Sequence, residues 1–190
     1  MATFCVWLFT WDDATDREEI SLERGNQYRA QAIEYIEHQL GLERKRRPNR
    51  TTNGTNEHRN EYRNGHGKEL ELEPESLTPQ LELFASIGKS IRETSDDNTA
   101  KLFFHELQYM FDCCSKEQKN KLSGDLPTIE QYWETRYGTS GVTAYCAIVP
   151  YMIDVKFPSE LFQSVEMKAV WLEINVNIIM CEVLSHTLIH

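Results

Sequence analysis

The sequence predicts an all-α protein, an antiparallel helical bundle. Apolar residues recur at helical spacing in every segment outside one polar stretch, the links between those segments are short, and no strand-period hairpin or internal repeat competes with them. With 190 residues, 40% hydrophobic and 11% aromatic, the chain has apolar material for one sizeable core and therefore one domain.

From Phe4 to Trp11 the chain is almost continuously apolar and turns abruptly polar at Asp12, as a buried helix does on reaching solvent or a polar cavity. Between about 17 and 42, Ile33, Ile36 and Leu40 keep helical spacing, and Gly41 is a plausible stop. The stretch at about 44–76 differs in kind. It opens on basic Arg44-Lys45-Arg46-Arg47, continues through Asn, Gly and His, and closes on alternating glutamates, so it is expected to be a solvated, disordered insertion. Its basic run is read as charged surface, not as a nucleic-acid patch.

After Pro79, the residues Leu81, Phe84, Ile87 and Ile91 repeat with helical spacing, and Asp96-Asp97-Asn98-Thr99 offers capping chemistry for the next helix. Leu102, Phe103, Leu107, Met110 and Phe111 form the buried stripe of that helix, which Ser123–Thr128 breaks. A further helix starts at Thr128. Gly138 and Gly141, bracketing Thr139 and Ser140, predict a kink or break before the pattern resumes through Val142, Tyr145, Ile148 and Tyr151. Lys156-Phe157-Pro158 closes that element, and a single amphipathic run is expected from Glu160 toward Ser185.

A net charge of −10 argues against nucleic acid as the main partner, since phosphate backbones are bound by surplus Lys and Arg. It does not exclude a diphosphate substrate, because cations can bridge carboxylates to phosphate oxygens. Cys5, Cys113, Cys114, Cys146 and Cys181 form no even framework and suggest a reducing, cytoplasmic compartment. The apolar start has no basic leader and runs straight into Asp12, so neither a signal peptide nor a stable membrane insertion is expected. On that reading the sequons at Asn49 and Asn53 are not glycosylated.

Chemistry concentrates at Asp12-Asp13-Ala14-Thr15-Asp16. Asp12 and Asp16 lie one helical turn apart on one face, with Asp13 turned about 100° away, so only one pair can share a metal. Clustered carboxylates repel unless a cation or proton neutralises them, which suits a hard, oxygen-seeking ion such as Mg²⁺. The plainer reading is an acidic helix end in solvent; the apolar approach Trp7-Leu8-Phe9-Thr10-Trp11 is unlike a surface helix and favours the metal. His105, His186 and His190 have no metal spacing, and Cys113-Cys114 is not a CxxC pair.

The segment FCVWLFTWDDATDREE resembles the aspartate-rich helix of microbial, particularly fungal, class I sesquiterpene cyclases. The resemblance implies that Asp12, Asp13 and Asp16 bind magnesium that anchors a diphosphate. Tyr132-Trp133-Glu134-Thr135-Arg136 followed by Gly138-Thr139-Ser140-Gly141 is similar to that family's diphosphate-sensing arginine and the broken helix after it, which makes Arg136 the sensor. A guanidinium can hold two phosphate oxygens in a fork, although a lone arginine is as easily a surface ion pair. The family's other metal site, Asn-x-x-x-Ser-x-x-x-Glu, falls in register on Cys181, Ser185 and Ile189, where only Ser185 matches; a frame starting at Asn177 also lacks the carboxylate.

The resemblance thus implies a bundle of the class I terpenoid synthase type, incomplete at both ends, with residues after about 180 departing from the family's pattern. Trp7, Phe9, Phe103, Phe104 and Tyr145 either line a pocket whose aromatic faces stabilise cations or, for most of them, pack the core; Phe9 is the candidate substrate contact. The expected activity is ionisation and cyclisation of a prenyl diphosphate, farnesyl diphosphate first, to a sesquiterpene and diphosphate. The alternatives are a catalytically inactive fragment that binds diphosphate through one metal site, and an all-helical interaction module.

Overall fold

The computed structural model describes residues 2–15, 20–42 and 78–189, the side chains of Thr78, Ser159 and 185–189 excepted. The predicted insertion at about 44–76 therefore lies outside the described residues. Eight helices follow in order among those described: α1 (Ala2–Thr15), α2 (Leu22–Gln39), α3 (Thr78–Thr94), α4 (Asp97–Ser123), α5 (Ile129–Thr139), α6 (Val142–Met152), α7 (Ser159–Gln163) and α8 (Val165–Ile189). No strand occurs among the described residues, as an all-α reading requires.

Local chemistry sets the boundaries. Asp96 caps α4 by accepting the Thr99 amide at 2.8 Å. Thr128 and Gln131 form a reciprocal capping box on α5, satisfying two amides that the helix itself leaves open. At the far end of α4, Gly124 takes the left-handed conformation that closes a helix.

The long helix α4 is the centre of the bundle and packs against α2, α3, α5 and α6, while α1 packs on α3. The core is aromatic at heart. Trp7 lies 5.0 Å from Phe84 between ring centroids, Trp11 lies 5.0 Å from Phe111, and Phe4 meets Phe103 edge-on at 5.4 Å. Such offset and edge contacts suit the ring quadrupoles and bury large area per residue. Of the aromatic set singled out in the sequence, Trp7 and Phe103 are therefore core, Phe104 and Tyr145 are half-buried against it, and Phe9 points away.

Two glycines mark how closely the elements approach. A Cβ on Gly138 would stand 2.3 Å from the Cys113 sulfur, so α5 can touch α4 here only through a residue without a side chain. Gly141 has φ +68° and separates α5 from α6, which confirms the break expected between 138 and 141.

The last run departs from expectation in two ways. It is not one helix: Ser164 is extended, ends α7, and accepts the Met167 amide on its hydroxyl at 3.1 Å, which starts α8 afresh. Nor is α8 amphipathic. Trp171, Asn175 and Ile179 are buried, but Val170, Leu172, Ile174, Ile178, Met180, Val183 and Leu184 are exposed on its other sides. No helix among the described residues is long and apolar enough to cross a membrane.

Candidate functional site

The C-terminal turn of α1 carries Asp12 and Asp13, both exposed. Carboxylates at a helix C-terminus sit against the negative end of the helix dipole, an arrangement that costs on the order of 0.3–1 kcal/mol each. No basic residue in that turn offsets it. A hard cation would, and oxygen-only donors are what Mg²⁺ takes, so the residues present fit the ion that the motif implies. Asp16 lies outside the described residues. Among the described residues no group of three or more His, Cys, Asp or Glu stands together as a metal cluster.

The same side of α1 carries Val6, 55% exposed, and Phe9, 68% exposed, two turns and one turn before the acidic end. The opposite face, Phe4, Trp7, Trp11 and Ala14, is buried. The helix thus presents an apolar strip that runs into two carboxylates.

Arg136 stands in the last turn of α5, just before the break, and its guanidinium bonds Glu182 of α8 at 2.5 Å. Burial works to lower the Arg136 pKa, but the hydrogen bond and charge of Glu182, followed by the charge of Glu117, outweigh it, so the guanidinium is held above its ordinary value. Arg136 also lines a hollow of about 280 Å³ with Glu117, Lys121, Gln131, Tyr132 and Thr135. Asp12 does not line that hollow.

What connects the two is α4. The Cys114 thiol is pushed up to about 12, first by burial and then by the charges of Glu117 and Asp12. Glu117, one turn further along, also acts on Arg136. The charges of Asp12 and Glu117 thus both reach Cys114, and that of Glu117 also reaches Arg136, but Asp12 and Arg136 do not line one described cavity.

The break after Arg136 is built, not frayed. The Ser140 amide bonds the Arg136 carbonyl at 3.0 Å and the Gly141 amide bonds the Gly138 carbonyl at 3.2 Å. Buried Asn175 of α8 accepts the Ser140 hydroxyl at 2.8 Å and donates to the Tyr137 carbonyl at 2.8 Å. The hydroxyls of Thr139 and Thr143, on either side of the break, are buried without a partner.

At the expected second metal site Cys181 is exposed, and the side chains of Ser185 and Ile189 lie outside those described. Sequence reading missed Glu182 and Asn175, since neither the partner of Arg136 nor a clamp on the break has a local signature. It also missed Arg29, which is buried on α2 and bonded to Gln118 at 2.7 Å and Asn26 at 2.8 Å. An arginine amid Asn26, Gln27 and Gln31 reads as helix surface, and only the fold buries it.

Comparison with known proteins places the chain in a family. The family model described as terpene synthase family 2, C-terminal metal binding, matches residues 3–182. A sesquiterpene cyclase, hepA, of Aspergillus oryzae is 27% identical over 179 residues, covering 90% of this chain and 42% of that protein. The chain thus spans less than half the length of that relative. No solved structure matches the chain. Since the family match runs unbroken across both the aspartate turn and Arg136, the chain belongs to terpene synthase family 2, in that family's C-terminal metal-binding region.

Proposed function

We propose that this chain carries the diphosphate-ionising half of a magnesium-dependent terpene cyclase acting on a prenyl diphosphate, with farnesyl diphosphate the favoured substrate. This reading is supported above all by Asp12 and Asp13 at the end of an exposed apolar strip on α1, with Arg136 in the last turn of α5 just before the break. The relative named a sesquiterpene cyclase supports the choice of a farnesyl chain.

In this reading Asp12 and Asp16, with Asp13 beside them, would hold magnesium, which would supply positive charge against the diphosphate leaving group. Arg136 holds phosphate oxygens in a bidentate fork and stabilises the negative charge that grows as the carbon–oxygen bond breaks heterolytically. The hydrocarbon tail lies along Val6 and Phe9, whose ring face attracts the allylic cation left behind. Ring closure and proton loss then give a sesquiterpene.

A second reading, diphosphate binding without turnover, is favoured by one specific observation. Cys181 and Ile189 stand where the resemblance expects an asparagine and a glutamate, and neither supplies a hard oxygen ligand. Val6 and Phe9 are also open to water, which quenches carbocations unless excluded.

Incubation of the purified chain with Mg²⁺ and farnesyl diphosphate, followed by analysis of extracted volatiles, separates these. A hydrocarbon product supports the cyclase. Magnesium-dependent diphosphate binding with no hydrocarbon supports the second reading, and neither product nor binding overturns both.

A further inference from the structure

Asn175 is a polar side chain with no solvent exposure, set between Trp171 and Ile179 on the buried face of α8. A buried amide costs stability unless its donor and acceptor are both satisfied. Both are satisfied here by a single feature, the break between α5 and α6, 35 and 38 residues away in sequence.

The Tyr137 carbonyl would accept the Gly141 amide in a continuous helix. The break removes that partner, because the Gly141 amide turns to the Gly138 carbonyl at 3.2 Å. The Asn175 amide takes its place at 2.8 Å, with the Ser140 hydroxyl also within reach of that carbonyl at 3.1 Å. On its other side Asn175 fixes the Ser140 hydroxyl, which in turn accepts the Val142 amide at 3.3 Å and so starts α6.

Tyr137 follows Arg136 directly, and the Arg136 carbonyl is itself bonded by the Ser140 amide at 3.0 Å. The backbone carbonyls of Arg136 and of the residue after it are therefore held by Ser140 and Asn175. Glu182, two turns further along α8, meets the tip of the same side chain.

We propose that Asn175 is a positioning residue for Arg136: it replaces the hydrogen bond lost at the break and so aims the guanidinium at a substrate diphosphate. This rests on the diphosphate-binding reading above.

The test uses the full chain, inorganic diphosphate with Mg²⁺, and calorimetric affinities at a temperature where circular dichroism shows each variant folded. Asn175→Ala is expected to weaken diphosphate binding about tenfold, as loss of one well-made buried bond predicts. In an Arg136→Lys background the same change is expected to cost less than about twofold, because a residue that acts through Arg136 has little left to position. Hydrogen exchange should quicken at residues 139–142 in Asn175→Ala while amides in the middle of α4 keep their protection.

Unchanged affinity in folded Asn175→Ala, or an undiminished loss in the Arg136→Lys background, would overturn the proposal. Should Asn175→Ala fail to fold, Ser140→Ala removes one of the two bonds at little cost in volume. It is expected to weaken binding about threefold with the same coupling to Arg136, and no change would overturn the proposal equally. Absence of any magnesium-dependent diphosphate binding by the unaltered chain would instead overturn the parent reading, and this role with it.

Discussion

Replacing Glu182 by glutamine should tighten diphosphate binding. Glu182 occupies the guanidinium of Arg136 at 2.5 Å, so an incoming diphosphate must displace it or share the cation. Two unit charges at 4 Å attract by about 4 kcal/mol at an effective dielectric of 20. The Glu182 side chain is 45% exposed and that of Arg136 is 29% exposed, so solvent screening and side-chain entropy leave only about 1 kcal/mol of net attraction. Releasing it corresponds to about a fivefold gain in affinity. Titration calorimetry of Mg²⁺ and inorganic diphosphate into wild-type and Glu182→Gln chains would measure this. The gain should shrink as salt is raised, because a half-exposed pair is screened. Equal or weaker binding by Glu182→Gln at low salt would refute the reasoning, and would indicate that Arg136 does not receive the diphosphate.

Other expectations follow from the same geometry. At magnesium and diphosphate concentrations about 100 times the dissociation constant, binding should stabilise the fold by about 2.7 kcal/mol, and Asp12→Ala should abolish that gain in a thermal shift assay. Gly138→Ala would place a Cβ 2.3 Å from the Cys113 sulfur and 2.7 Å from its Cβ, so urea unfolding should show a loss of about 1–3 kcal/mol. Burial pushes the Cys114 thiol up to about 12 and the Cys146 thiol to about 11, above the ordinary value they regain on unfolding. The stability they contribute is complete below about pH 8.5 and is lost as pH rises toward those values, at up to about 1.4 kcal/mol per pH unit for each thiol. Denaturant midpoints measured from pH 7 to 10 should therefore fall. Exposed Cys181 should react with iodoacetamide at pH 8 well before Cys113 and Cys114 do, as mass spectrometry of labelled peptides would record.

Much of the fold is legible locally. The stripe of Phe103, Leu107, Met110 and Phe111 is buried as its spacing demands, Asp96 and Thr128 cap the helices they precede, and Gly138 and Gly141 bracket a real break. These features depend on neighbours a few residues apart, which a sequence displays directly. The end of the chain is less legible. Apolar residues on every side of α8 give no phase, so the face that turns inward is chosen by what α5 and α6 offer, namely the Tyr137 carbonyl and the Ser140 hydroxyl for Asn175. Ser164 interrupts that run through a cap bond of its own, a role that any serine in a helical stretch might fill or decline.

In the candidate site, the aspartate turn and Arg136 stand out because their residue types are chemically specific. Their relation through Cys114 and Glu117 of α4 does not, since it spans helices more than 100 residues apart for Asp12 and Arg136. Glu182 is likewise invisible beforehand: it is one acidic residue near the end of an apolar run, and only packing of α8 on α5 brings it to Arg136.

The paired indoles near the start of the chain give the molecule an optical probe of its own. Trp7 and Trp11 are 0% and 2% exposed and Trp171 is 9% exposed, so three of the four tryptophans emit from an apolar medium while the chain is folded. Their emission should move to longer wavelength when the core opens to water. Because Trp7 and Trp11 pack against Phe84 and Phe111 in the core, that shift reports loss of core packing. Fluorescence therefore follows melting, calorimetry follows occupancy, and the two can be read on the same sample.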